Sequence, residues 1–420
     1  RDPKKTKQKS SYDGVQQAFE YGDRMKSISS VRSVCGISTR YVVVLAMLVL
    51  AACGPATATA PQVTPAELQA TAANLPDAGE AVDRGNTQEP TPLPLSEPGP
   101  YRVGVREFSA QDASRDGRKV GVRVWYPAIW PEDATRKRVL PKADPDRSGA
   151  PYPLIVSSAK MGSDLAPYLV THGFVWAGVT RIDTYARMNE QMIDQPLYIL
   201  FALDQVASNP PQELVGMIDT DHAGAIGYSF DGYNTLAVSG ARIDPAQYLA
   251  QCPNPDPTTE AILSSMSAFD CGPAGAWDEF VAHASEAITA SEDGLWQPMT
   301  DERIRAVMPL AGEGWWLFGE MGLASADRPV LMIVATEDEL YPENVLIFQH
   351  LGTRDKALIA FVGQDHMMVY EREMVARMAH FAVAFFGYHL QGREDLAWYF
   401  SEEFVAQYDD LARGVYKGER

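Results

Sequence analysis

Four cysteines in 420 residues are too few for a fold built on disulfides. Positive charge is scarce as well: 36 Lys and Arg stand against 55 Asp and Glu, a net charge of −19. A partner with a phosphate backbone needs a basic surface, so nucleic acid is excluded. The chain has no internal repeat and no Gly-rich phosphate loop of the Walker or dinucleotide type, and no cofactor is expected. The apolar run Tyr41–Leu50 has ten residues, whereas a helix crossing ~30 Å of hydrocarbon needs about 20. What is present is ordinary for a globular protein: 46% hydrophobic and 22% charged residues, enough for one large domain or two modest ones.

The first hundred residues read as an address followed by a tether. Lys26, Arg32 and Arg40 precede the apolar run, no acid follows Asp23 before it ends, and small residues close it. A basic segment, a short apolar segment and small residues are the pattern of an export signal. Leu50-Ala51-Ala52-Cys53 resembles the lipobox of bacterial lipoproteins. That resemblance implies cleavage before Cys53, acylation of its thiol and a place in the bacterial cell envelope, outside the cytoplasm. Met25 is the expected start of this signal, with residues 1–24 as upstream sequence and Cys35 lost with the signal. Without residues 1–52 the chain carries 27 basic against 51 acidic residues, a net of −24. From Gly54 to Pro100 come nine prolines and a single basic residue, Arg84. Such a composition does not offset the entropy of ordering, so residues 53–100 are expected to be a disordered tether.

From Tyr101 onward the pattern is that of an α/β body. Val103–Glu107 and Lys119–Pro127 alternate apolar and polar residues and predict an antiparallel hairpin. Pro153–Ser158, Gly173–Val179, Ala223–Tyr228, Arg305–Leu310, Pro329–Ala335 and Lys356–Val362 are short apolar runs, the signature of strands buried on both faces of a parallel sheet. Ser163–His172, Gln195–Ser208, Tyr233–Gly240, Pro342–Leu351 and Met374–Leu390 carry helical spacing between them. The alternation predicts a doubly wound, mostly parallel sheet. An insertion follows the helix after Ser229, at about residues 241–300. It holds Cys252 and Cys271, expected to pair in an exported protein, the alternative being two buried thiols. His283 is the one histidine nearby, so no metal site is expected.

The chemistry gathers around Ala225-Ile226-Gly227-Tyr228-Ser229-Phe230-Asp231-Gly232-Tyr233. A strand runs into Gly-x-Ser and a helix starts at once, the context of a nucleophile elbow. Serine needs a base. His366, in Val362-Gly363-Gln364-Asp365-His366, is the histidine that lies in a loop directly after a late strand. Thr336-Glu337-Asp338-Glu339-Leu340-Tyr341-Pro342 follows the strand before it and offers three acids. Asp338 is favoured by its Asp-x-Leu-x-Pro lead into a helix. Its role would be to orient the imidazole. Trp315, Trp316 and Phe318 follow the strand at Arg305 and either line an acyl pocket or belong to the core.

Val120–Ala128, Pro153–Ser158, Gly227–Tyr233 and Ile304–Leu310 resemble the α/β-hydrolases related to dienelactone hydrolase-like proteins, and within them the bacterial platelet-activating-factor acetylhydrolase-like esterases. The similarity runs from about Tyr101 to the C-terminus. It implies an α/β-hydrolase fold over residues 101–420 and a serine esterase acting on a small-molecule or lipid ester through an acyl-enzyme. It also implies an oxyanion hole formed by the Phe230 and Met161 N–H groups. The membrane would be met through the lipid anchor only. Two departures stand out. Ser158-Ala159-Lys160-Met161-Gly162 replaces the usual Ser-His-Gly-x-Gly, and the elbow has Tyr228 and Asp231 where His and Gly are usual. The alternative reading is a catalytically degenerate hydrolase lipoprotein that binds a ligand without turnover.

Overall fold

Apolar runs too short for helices and rich in β-branched residues become the strands of one sheet. The computed structural model describes residues 91–132, 134, 138–158, 160–180, 187–252 and 270–418. The expected signal, Cys53 with its lipidation, Cys35 and the tether up to residue 90 lie outside the described residues. Among the described residues no helix is long and apolar enough to cross a membrane.

The strands are β1 (Arg102–Asp112), β2 (Arg118–Ile129), β3 (Leu140–Pro141), β4 (Asp144–Pro145), β5 (Tyr152–Ser158), β6 (Val175–Val179), β7 (Ile218–Tyr228), β8 (Ile304–Leu310), β9 (Val330–Ala335), β10 (Lys356–Phe361) and β11 (Leu411–Arg413). They form a sheet in the order β11-β10-β9-β8-β7-β5-β6-β2-β1-β3, with β4 beside β2. The six central strands, β6-β5-β7-β8-β9-β10, run parallel. β1 and β2 form the expected antiparallel hairpin, which joins the sheet through antiparallel β2–β6 pairing. The two-residue strands β3 and β4 and the short β11 have no counterpart in the apolar pattern, because so few residues set no period.

Helices cover both faces, and the period of two along each strand decides what each side chain meets. Leu154 and Val156 of β5, Val307 of β8 and Met332 and Val334 of β9 pack with α2 (Gln191–Ser208) and α3 (Phe230–Val238). Ile155, Ala306, Met308, Leu331 and Ile333 face the opposite way, toward α1 (Ala166–Thr171) and the long α8 (Arg372–Gln391). The region between α3 and β8 contains α4 (Pro245–Gln251) and α5 (Trp277–Ala284), in the place expected for the insertion. Two further helices, α6 (Trp315–Ala324) and α7 (Tyr341–His350), follow β8 and β9. α6 was not anticipated, because its Trp-Trp-Leu-Phe start has no polar face to set a helical period.

Residues 91–100, expected to belong to the tether, do not behave as one. Residues 91–100 pack on the body: Leu93 is buried, the Leu95 N–H donates to His380 Nδ1 at 3.0 Å, and the Gly99 N–H donates to Thr171 Oγ1 at 2.9 Å. Proline carries no N–H, so a Pro-rich strap can lie on a surface with few donors to satisfy. Burial holds the His380 imidazole down at about 3, neutral and able to accept.

Cys252, at the end of α4, and Cys271 form a disulfide with Cα atoms 5.3 Å apart, as the spacing suggested. The chain-entropy account gives such a loop about 3 kcal/mol. Cys252→Ala/Cys271→Ala is therefore expected to lose about 3 kcal/mol of unfolding free energy in urea titrations, and reductant is expected to bring the wild type to the same midpoint.

Candidate active site

The nucleophile candidate stands where β7 gives way to α3. Ser229 has φ +59° and ψ −124°, a region that L-residues enter at a cost of about 1–3 kcal/mol. Two short approaches hold it there. A Cβ on Gly227 would come within 2.1 Å of the Asp231 carbonyl oxygen, and one on Gly232 within 2.4 Å of Gly312 Cα. Glycine at both positions lets the helix start directly against the strands. The Ser229 N–H donates to the Leu310 carbonyl at 2.9 Å, and the Gly232 N–H to the Ser229 carbonyl at 2.7 Å.

The partners arrive from the next two loops along the sheet. β9 and β10 are parallel neighbours in register from Val330↔Lys356 to Ala335↔Phe361, so the loops after them leave the same edge together. Three hydrogen bonds fasten those loops: Thr336 N–H to the Phe361 carbonyl at 3.1 Å, Glu337 N–H to the Gln364 carbonyl at 2.9 Å, and Gly363 N–H to Thr336 Oγ1 at 2.9 Å. Of the three consecutive acids, Glu337 and Glu339 face solvent while Asp338 is 5% exposed. Asp338 Oδ2 lies 2.8 Å from His366 Nδ1, and His366 Nε2 lies 3.0 Å from Ser229 Oγ. The other carboxylate oxygen accepts the Leu340 N–H at 2.8 Å. With Nδ1–H directed at Asp338, Nε2 is the acceptor for the serine hydroxyl. The structure thus brings Ser229, His366 and Asp338 into one hydrogen-bonded line above the carboxyl ends of parallel strands.

β5 and β7 are neighbours although β6 lies between them in sequence. The chain therefore changes winding direction between them, and such a switch point opens a crevice. Phe230, the first residue of α3, follows β7, and Met161 lies in the loop after β5; both are buried. Ala159 lies outside the described residues.

Trp315, Trp316 and Phe318 take the core alternative. All three are buried on α6, and Phe318 stacks on Tyr233 with ring centroids 4.8 Å apart and planes 5° apart. The reason is local: Gly314 at φ +137° turns the chain into α6, which lays its apolar start against α3. A cleft of about 930 Å³ lies elsewhere, between the 92–103 strap, α1 and the start of α8, and is lined by no member of the Ser229–His366–Asp338 line.

Buried acids beside the site had no signal in the sequence. Glu343 Oε1 accepts the Gly314 and Trp315 N–H groups at 2.8 and 2.9 Å, closing the N-terminus of α6. Glu313 is 3% exposed. Burial, with Glu343 close by, pushes its carboxyl up to about 8 against the opposing pull of Lys160. Burial raises Glu343 to about 7, and raises Asp270 well above the usual carboxylate range with the help of Glu343 and Glu313. Among the described residues neither Asp270 oxygen has a hydrogen-bond partner. No group of three or more His, Cys, Asp or Glu side chains among the described residues is arranged to hold a metal ion.

Neither protein-family models nor curated proteins show a match to this chain.

The Glu313 shift sets a pH dependence. Between the unfolded value near 4.3 and about 8, the native state binds a proton that the unfolded chain has released, so stability falls as pH rises through that window. The melting temperature is expected to drop between about pH 5 and pH 8, and Glu313→Gln to reduce that drop, as followed by thermal unfolding across the range.

Proposed function

We propose that the chain is a serine hydrolase of the α/β-hydrolase type that cleaves carboxylic esters through an acyl-enzyme. The observation that carries this reading is the continuous line from Ser229 Oγ to His366 Nε2 at 3.0 Å and from His366 Nδ1 to Asp338 Oδ2 at 2.8 Å. The strained backbone at Ser229 supports it, since such a turn presents the hydroxyl above the sheet edge. The resemblance to dienelactone hydrolase-like and platelet-activating-factor acetylhydrolase-like esterases points to short-chain acyl or phospholipid-type esters as the substrate class.

In this reading Ser229 Oγ attacks the acyl carbon as its proton passes to His366 Nε2. Asp338 keeps the imidazole oriented and stabilises the imidazolium. The Phe230 and Met161 N–H groups receive the oxyanion, a contribution of about 2.7–4 kcal/mol per donor in enzymes that use one. His366 returns the proton to the leaving alcohol, then activates the water that releases the acid. The Leu50–Cys53 box makes the protein exported and acylated at Cys53, with its body outside the cytoplasm.

A second reading, a hydrolase-like binding protein without turnover, draws on Lys160 and Asp231 beside the crevice. One pair of measurements separates the two. Wild type is expected to hydrolyse short-chain nitrophenyl esters and to be labelled at Ser229 by a fluorophosphonate probe. Ser229→Ala is expected to lower the rate by about 10⁴-fold or more, and Asp338→Asn by about 10³–10⁴-fold. Equal rates for wild type and Ser229→Ala would remove the esterase reading, and an unlabelled Ser229 would leave the binding protein.

A further inference from the structure

We propose that Asp231, Lys160 and Tyr228, three of the residues at which the chain departs from the pattern it resembles, form one positioning device. It ties the oxyanion loop to the nucleophile helix and to the backbone of the catalytic histidine. The catalytic half of this proposal rests on Ser229 being the nucleophile. The structural half does not.

The geometry begins at Asp231, 3% exposed in the first turn of α3. Its Oδ2 accepts the Ser158 hydroxyl, and its Oδ1 accepts Asn234 Nδ2 at 3.2 Å. Asn234 Nδ2 in turn reaches Gln195 Oε1 on α2 at 2.9 Å. Ser158 is the last residue of β5, and its oxygen also accepts the Lys160 backbone N–H at 3.3 Å. The carboxylate on the nucleophile helix is therefore two hydrogen bonds from the Lys160 N–H, one residue before Met161. Gly227 lies against the Asp231 backbone and Cβ, where a side chain of its own would have no room.

Lys160 continues the path. Its ammonium lies 4.9 Å above the Tyr228 ring, a cation–π distance, and its charge opposes the rise that burial gives the Asp231 carboxyl. The Tyr228 hydroxyl donates to the His366 carbonyl, and the two rings are 4.8 Å apart. One connected set thus runs from the loop after β5, through the ends of β5 and β7, to the loop after β10. Replacing Lys160 would leave the buried Asp231 without its counter-charge, and replacing Asp231 or Tyr228 would leave the half-buried Lys160 ammonium without the counter-charge or without the ring. That mutual need is a physical reason for all three to occur together. None of the three is a member of the Ser229–His366–Asp338 line, so all are positioning residues.

The test uses the full chain and reads two quantities. One is steady-state hydrolysis of a short-chain nitrophenyl ester. The other is hydrogen–deuterium exchange at the Lys160 and Met161 amides. Asp231→Ala is expected to lower kcat by about 10²-fold, the scale of a misplaced oxyanion donor, with little change in KM. It is also expected to speed exchange at both amides by about tenfold, as a locally opened loop does. Asp231→Asn keeps an oxygen for the Ser158 hydroxyl and is expected to recover most of both losses. Ser158→Ala cuts the same link from the other side with the acid left in place, and is expected to match Asp231→Ala; it decides the matter should the alanine variant fail to fold. Unchanged exchange and kcat in Asp231→Ala or Ser158→Ala would overturn the proposal. Should wild type show no Ser229-dependent hydrolysis, the esterase reading fails on its own, and the exchange rates still decide whether Asp231 fastens the loop.

Discussion

The strained peptide at Ser229 is the constraint on which the rest of the site depends. An L-residue at φ +59° has to be held there by its surroundings. Three features do the holding: the pairing of β7 with β8 up to Tyr228↔Leu310, the hydrogen bond from the Ser229 N–H to the Leu310 carbonyl, and the contact of Gly232 with Gly312. All nine residues of α3 are buried, so the helix cannot swing away to relieve the turn without exposing its whole surface. The hydroxyl is consequently fixed relative to the sheet rather than to a mobile loop, and the His366 and Asp338 loops need only be fixed relative to the same sheet. The β9–β10 register and the three hydrogen bonds between the two loops do this.

What was legible in the sequence follows from the same geometry. The six central strands were readable because strands buried on both faces cannot hide an apolar run. The Ser229, Asp338 and His366 positions were readable because each directly follows such a run, and a parallel sheet sends those loops to one edge. Asp338 could be told from Glu337 and Glu339 only by its lead into α7; the structure adds that its neighbours are exposed. Burial is what the sequence does not announce for polar residues. Glu313, Glu343 and Asp270 read as ordinary solvated acids, since charged side chains are rarely buried. The docked strap at 91–100 was hidden for the opposite reason: its composition resembles a tether, and a few well-placed contacts such as Leu93 and the Leu95–His380 hydrogen bond outweigh that composition.

The buried acids are tied to backbone geometry as much as to charge. Glu343 supplies one oxygen to two N–H groups at the start of α6, a helix whose apolar opening offers no capping side chain of its own. Without that oxygen two donors would be buried unpaired, a cost of about 1–3 kcal/mol each. α6 in turn stacks Phe318 on Tyr233 and so presses α3 against the strands. A carboxyl group outside the Ser229–His366–Asp338 line thus takes part in holding the turn at Ser229.

So many acids around a site proposed to develop an oxyanion raise an electrostatic question, and their protonation answers it. A negative charge near the crevice would oppose a second one forming there. Glu313, raised to about 8, carries its proton at neutral pH, and Glu343, raised to about 7, is partly protonated. Asp270 lies well above the usual range as well. Asp231 faces the Lys160 cation, and Asp338 faces an imidazole that becomes positive as the proposed reaction proceeds. The charge that a developing oxyanion would meet is therefore much smaller than the count of carboxyl groups. The same burial that costs stability as pH rises is what would keep an acid-rich site compatible with the anionic transition state of the proposed reaction.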